Sequence, residues 1–290
     1  MAGSTDAVRI LLAAGIVLIA GCQPPGDGLP RGDGGPAERI ISLAPHITEL
    51  VYAAGAGDRL VGVVAYSDYP FEARSVPRIG DSFRVDYEAV SVLQPDLVLA
   101  WQSGNPAEIV MRLRELGYRV VELEATVLDD VAADLRTIGD LAGTGSIADQ
   151  RADEFSAQLE TLRKEYEGVR MLRVFYQVAA NPYFTITGRH AISAAIDMCG
   201  GENVFADISG LAPSITLEAI IAENPEVIIA PVVPEDESWK QGWQDWNSID
   251  AVTRANLYSI NPDVINRPGP RIIEGVAQIC AALDTARNKP

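Results

Sequence analysis

Aromatic residues recur just beyond the ends of apolar, β-branched runs. Tyr66, within Tyr66-Ser67-Asp68-Tyr69-Pro70, follows LVGVV. Trp101 follows DLVLA and precedes the turn-like QSGNP. Tyr183 and Phe184, within ANPYFT, follow LRVFYQV. A large rigid ring, with a polar tip in tyrosine and tryptophan, is suited to holding a ligand rather than to making bonds. Several such rings around one cleft suit a bulky, flat, partly apolar ligand. Any single ring is more readily read as packing or a loop anchor, and it is the recurrence that carries the reading. Fixed charge is available in NPDVINRPGPRIIEG, where Asp263 and Arg267 occupy a Pro/Gly-rich loop ahead of a final helix. The competing reading of that pair is a solvated surface ion pair.

Catalytic signatures are absent from the sequence: no G-x-S-x-G, Walker A motif, H-E-x-x-H or dinucleotide fingerprint occurs. The two histidines, His46 and His190, are far apart. His46 falls at a strand-to-helix turn, where a loop histidine of little consequence is the favoured reading over one facing a cleft. An enzymatic alternative needs a fixed acid/base pair, and Asp68 with His46 is its one candidate. With two histidines and no His-rich stretch, no metal site is expected. The formal charge of −17 argues against nucleic acid as a partner, since that surface must be positive.

These residues need a scaffold. RIISL, LVGVV, DLVLA and YRVVEL read as buried strands alternating with helical PHITELVYAAGAG, YEAVSVLQP and PAEIVMRLRELG, the pattern of parallel βαβ units. Residues 146–168 break the alternation with one unbroken helical stretch of about 20 residues, roughly 30 Å long. Alternation then resumes with LRVFYQV, TLEAIIAENP and EVIIA. EAVSVLQPDLVLA at 88–100 and EAIIAENPEVIIA at 218–230 echo each other as helix, proline stop and strand. The expected architecture is α/β: two Rossmann-like lobes, residues 39–145 and 169–290, joined by a long backbone helix. Open α/β sheets bind ligands beyond the carboxyl ends of their strands, so the cleft between the lobes is the expected site.

The N-terminus reads differently. Arg9 precedes an apolar run at 10–20 that is too short for an ordinary membrane span, as in a secretory signal. The run ends Leu18-Ile19-Ala20-Gly21-Cys22, which resembles the bacterial lipobox. That resemblance implies a signal peptide at 1–21 and lipid on Cys22. Residues 22–38 are Pro/Gly-rich and read as a flexible tether. Export to an oxidising compartment makes pairing of Cys199 with Cys280 the expected state, against two buried thiols.

From about Arg39 to the last helix the chain resembles the periplasmic cobalamin (vitamin B12)-binding proteins of ABC importers, within the wider group that binds siderophores and haem. The likeness rests on RIISLAPHITELVYAAGAGDRLVGV, YSDYP, QPDLVLAWQSGN, NPYFT, CGGENVF and RPGPRI, in that order. It implies that Tyr66, Trp101, Phe184, Asp263 and Arg267 face the ligand, with Arg267 on amide or phosphate oxygens and Asp263 either orienting Arg267 or accepting from a corrin amide. It implies a Cys199–Cys280 bridge and a glutamate on each lobe for permease docking: Glu218 in the second, and Glu108, next to the matching Ala107, in the first. It implies a binding protein rather than an enzyme, working as a monomer at the outer face of the cytoplasmic membrane with permease and ATPase as partners. Cobalamin is then cargo, and no resident cofactor is expected. A ferric siderophore or haem is the alternative ligand. Leu211 and Ala212 depart from the family pattern, where some relatives carry a cleft tryptophan. Trp239, Trp243 and Trp246, at spacings of four and three, read as an apolar helical stripe rather than as ligand contacts.

Overall fold

A computed structural model describes Met1 and residues 34–289. The expected signal peptide, Cys22 and most of the tether lie outside the described residues. Among the described residues no helix is long and apolar enough to cross a membrane.

Eight strands build two sheets. In the first lobe β1 (Ile40–Ser42), β2 (Leu60–Val63), β3 (Leu97–Trp101) and β4 (Val120–Leu123) lie in the order β2-β1-β3-β4. In the second, β5 (Leu172–Tyr176), β6 (Gly201–Asn203), β7 (Val227–Ala230) and β8 (Leu257–Ser259) lie in the order β6-β5-β7-β8. Every pairing in both sheets is parallel. Each lobe thus runs second-first-third-fourth, with its order reversing between its first and third strands. Such a reversal opens a crevice at the carboxyl ends of those two strands.

The inner strands β1, β3, β5 and β7 are largely buried on both faces, as parallel sheets require. Successive residues point to opposite sides: Leu97 and Leu99 face the core shared with the other lobe, while Val98 and Ala100 face a separate first-lobe core. In β7, Val227 and Ile229 enter the shared core and Ile228 a second-lobe core that also holds Trp243. The helices covering the sheets are α1 (Pro45–Ala53), α2 (Tyr87–Leu93), α3 (Ala107–Glu115), α4 (Asp130–Ala142), α5 (Gly145–Glu165), α6 (Ala191–Met198), α7 (Leu217–Glu223), α8 (Asp250–Thr253), α9 (Pro262–Ile265) and α10 (Ile272–Arg287).

The sequence echo is a structural duplication. Helices α2 and α7 are each capped at the start by a side chain, Asp86 accepting from the Glu88 and Ala89 N–H groups and Thr216 from that of Ala219. Each ends in a left-handed residue, Gln94 at φ 44° and Asn224 at φ 40°, then a proline that stops the helix. The acid after each proline receives the backbone N–H of the neighbouring strand: Asp96 from Arg39 and Glu226 from Arg173. Those two arginines return their guanidinium groups to the open carbonyls at the helix ends, Leu93 and Glu223.

Helix α5 is the single long helix between the lobes. It ends at Glu165 rather than continuing to Gly168, because the chain turns at Gly168, whose φ of 72° is outside helical space. The Cys199–Cys280 bridge is present and joins α10 to the end of α6 within the second lobe.

Candidate functional site

The crevice of the first lobe is marked by a ring pair. His46 opens α1 just after β1, and Trp101 ends β3. Their rings meet edge to face at 5.0 Å and 86°. His46 is 6% exposed; burial, with the charge of Arg267, lowers its pKa to about 3, so it stands under Trp101 as a neutral ring. A Cβ at position 104 would collide with the Trp101 ring, so Gly104 allows the indole to lie over the turn. Asn105 fixes that turn. Its side chain accepts from the Trp101 N–H at 2.7 Å and donates to the Leu43 and Ser82 carbonyls, each at 3.0 Å. One buried amide therefore joins the ends of β1 and β3 to a hairpin at 80–85 whose tip, Phe83, is 70% exposed.

Between the lobes lies a cavity of ≈ 200 Å³. Trp101, Ser103 and Glu124 line it from the first lobe; Tyr176, Arg189 and His190 are among those lining it from the second. Glu124 accepts from Ser103 N and Oγ at 2.8 and 2.9 Å. His190 caps α6, its Nδ1 accepting the Ile192 N–H at 3.2 Å, and burial lowers its pKa to about 4. Leu211 and Ala212, which depart from the pattern of the resembled family, line the same cavity.

Of the five residues expected at the ligand, Trp101 alone lines this cavity. Tyr66 follows β2 in the first lobe, with φ 64° and the residue 77% exposed. A tyrosine is held at such a φ only by its surroundings. Here the next residue, Ser67, is buried and accepts from Thr48 Oγ1 and from Arg78. Phe184 is half-buried; its carbonyl accepts from Val178, a lining residue, at 2.9 Å. Arg267 lies outside the cavity lining, in a charged cluster. Its guanidinium contacts Asp68 at 2.8 Å, Asp263 at 3.1 Å and Glu49 at 3.6 Å. Asp263 reaches Arg267 from one turn away, at i−4. Asp68, the acid of the enzymatic alternative, is bonded to Arg267 and not to His46. Arg271 adds a two-pronged contact to Glu49, so a cluster of three acids and two arginines straddles the lobes.

Glu108 and Glu218 are both exposed in the first turns of α3 and α7. By the internal duplication, however, the counterpart of Glu218 is Glu88 in the first turn of α2. The three tryptophans belong to packing. Trp243 is buried against Phe175 and donates to Gln177 at 2.8 Å; Trp239 donates to Ser259 at 2.9 Å. Trp239 and Trp246 pack on the same second-lobe core, on a 3-10 turn and loop rather than the α-helical stripe expected.

Sequence reasoning did not single out Glu49, Phe83, Asn105, Glu124, Arg189 or Arg271. Arg271 carried a signal, four residues after Arg267 in RPGPR. Glu124 carried none, since its partner Ser103 is 21 residues away, and the local tie of Asn105 to Trp101 does not reveal its reach to Leu43, 62 residues away.

A two-lobed α/β protein with a ligand crevice at both strand-order reversals is the architecture of a periplasmic binding protein. The family model for periplasmic binding proteins matches residues 40–263, and the chain belongs to that family. A vitamin B12-binding protein of Vibrio cholerae is 35% identical over 256 residues, covering 88% of this chain and 92% of the relative. The crystal structure of the periplasmic vitamin B12-binding protein BtuF of Vibrio cholerae matches with a TM-score of 0.81 at 35% identity, over 87% of this chain and 99% of that one. The periplasmic haem-binding protein RhuT of Roseiflexus shares the fold, with a TM-score of 0.74 at 22% identity over 87% of this chain and 99% of that one.

Proposed function

We propose that this chain captures cobalamin, or a related corrinoid, outside the cytoplasmic membrane and passes it to an ABC importer. The observation that carries the reading is the inter-lobe cleft floored by Trp101, in a chain 35% identical over most of its length to proteins named for vitamin B12 binding. The enclosed floor is smaller than a site for a whole drug-sized ligand. A corrinoid therefore rests across the mouth, its flat face on Trp101 and the rings of Tyr66 and Phe83 at the rim, with Phe184 at the opposite lobe. The corrinoid is cargo, and the chain is a carrier rather than an enzyme.

Haem fits the cavity less well. His190 accepts a backbone N–H at Nδ1, which puts its proton on Nε2 and leaves no free lone pair for iron. Burial raises the Tyr176 phenol, so it resists becoming the phenolate that would bind a ferric ion.

The delivery step rests on the family and on acidic helix starts. Glu218 faces solvent on the second lobe, and the duplication favours Glu88 over Glu108 as its first-lobe counterpart for docking a basic permease surface. Lipid on Cys22 would hold the carrier at the membrane as a monomer, with permease and ATPase as partners.

Titration calorimetry of the purified chain with cyanocobalamin, haem and a ferric siderophore tests the reading. Saturable one-to-one binding of cobalamin alone, weakened at least tenfold by Trp101→Ala, is expected; loss of a large aromatic contact at the centre of a site is worth that much. A folded sample that gives no heat and no thermal shift with cobalamin would overturn it.

A further inference from the structure

Arg267 was the cation expected to meet the polar edge of the ligand, yet it is held by three carboxylates and its side chain is 14% exposed. The cleft nevertheless contains a second cation. Arg189 lines it from the second lobe and is exposed, and none of the ion pairs among the described residues includes it.

Two features make Arg189 more than a solvated surface charge. First, its turn is built from both sides. The Gly188 N–H donates to the Ala206 carbonyl at 2.9 Å, the Thr187 N–H to Leu211 at 3.2 Å, Thr187 Oγ1 to the Gly210 carbonyl at 2.9 Å, and the His190 N–H to Thr187 at 3.2 Å. The backbone under Arg189 is therefore fixed at the cleft edge. Second, the acid that shares the cavity is already engaged. Glu124 spends both oxygens on Ser103 of its own lobe, and the neighbouring His190 is neutral. The second-lobe wall thus presents a guanidinium with no counter-charge of its own.

We infer that Arg189 is the subsite for an anionic group of the ligand, and that in a corrinoid it receives the phosphodiester of the nucleotide loop. A guanidinium presents a planar fork of donors matched to two oxygens of a phosphate. This inference rests on the corrinoid reading and adds the polarity of the bound ligand: nucleotide loop toward the second lobe at α6, corrin face toward Trp101.

The test compares cyanocobalamin with cobinamide, the corrinoid that lacks the nucleotide loop and its phosphodiester. Both are titrated into the wild-type chain and into Arg189→Gln and Arg189→Lys. A hydrogen bond to a charged group is worth about 1.5–3 kcal/mol, or roughly 10- to 150-fold in affinity. Arg189→Gln is expected to weaken cyanocobalamin by at least tenfold and cobinamide by less than twofold, and Arg189→Lys to recover part of the loss. An unchanged thermal midpoint of the free variants shows that they fold. Equal weakening of both ligands, or of neither, overturns the phosphate assignment while leaving the corrinoid reading intact. A wild-type chain that binds neither corrinoid overturns both.

Discussion

Arg271 donates from Nε and Nη2 to the two carboxylate oxygens of Glu49, at 2.8 and 2.6 Å. The pair joins the start of α10 in the second lobe to α1 in the first. The Glu49 side chain is 2% exposed and that of Arg271 18%. The Tyr69 ring lies 3.9 Å below the guanidinium, so the contact is sealed by the same YSDYP loop that carries Tyr66 and Asp68.

Breaking one half of that pair leaves a buried charge. Arg271→Met is expected to cost on the order of 3 kcal/mol, with Arg267 at 3.6 Å supplying partial relief. The double variant Glu49→Leu with Arg271→Met removes both charges and should recover most of the loss. Urea midpoints of the wild type, both single variants and the double variant decide this; a double variant as unstable as the worse single one would show that packing, not charge, holds the junction.

His46, which is buried, and His190 and Asp134, which are partly buried, contribute to the pH profile with opposing signs. Burial, and for His46 also Arg267, lowers His46 to about 3 and His190 to about 4, from an ordinary 6.5. The unfolded chain takes up these protons below pH 6.5 and the folded chain does not, so stability falls as pH drops from 6.5 toward 4. Asp134 has the opposite sign. Burial, then the charges of Asp130 and Glu124, raise it from 3.8 to about 7. Its contribution is complete below pH 3.8 and is lost as pH rises to 7. Asp134→Asn, which cannot ionise, is expected to melt higher than wild type at pH 8, with the gap closing toward pH 4. A gap independent of pH would contradict the assignment.

Asn105 is the hinge pin of the first-lobe crevice. Asn105→Leu removes one acceptor and two donors and leaves the Trp101 N–H and the Leu43 carbonyl without it. A cost of about 2–4 kcal/mol is expected, together with weaker corrinoid binding, because the Phe83 hairpin and the Trp101 turn lose their common tie. Thermal melts and titration of the same variant measure the two effects separately. Retained affinity in a destabilised variant would mean that the hairpin contributes nothing to the ligand.

Reduction of Cys199–Cys280 opens a link between residues 81 apart. Loop-closure entropy predicts a loss of about 4 kcal/mol. The reduced protein, and Cys199→Ser with Cys280→Ser, should therefore unfold at lower denaturant, and alkylation after reduction should trap both thiols.

The α/β class and six of the eight strands of the two parallel sheets were legible because they appear as apolar runs, five of them largely buried and β4 half-buried at its sheet edge. The other two were not: Gly201–Asn203 contains Glu202 and Asn203, and Leu257–Ser259 is half-buried at a sheet edge. Nothing in either run separates it from a loop. Helix α4 does carry a legible stripe, Val131, Leu135, Ile138 and Ala142 at helical spacing, which sequence reasoning passed over. Trp101 was found because it sits one residue past an unmistakable strand. Of the partners of Arg267, Asp263 lies close in sequence, but Glu49 and Asp68 reach it only after the chain has folded back across some 200 residues. The role expected of Arg267 was therefore read without knowing that its charge was already matched.

The turn at Tyr166–Gly168 has a practical consequence. Helix α5 packs lengthwise on α4, each lobe owns a complete four-stranded sheet, and both cysteines of the bridge fall after the turn. A break at this exposed turn would separate the chain into two fragments, each keeping its own strand order and capping arginine, with the shared apolar core and the charged junction of Glu49, Asp68, Arg267 and Arg271 to bring them together. Coupled to the halves of a split reporter, such fragments would turn ligand-dependent reassembly into a light signal.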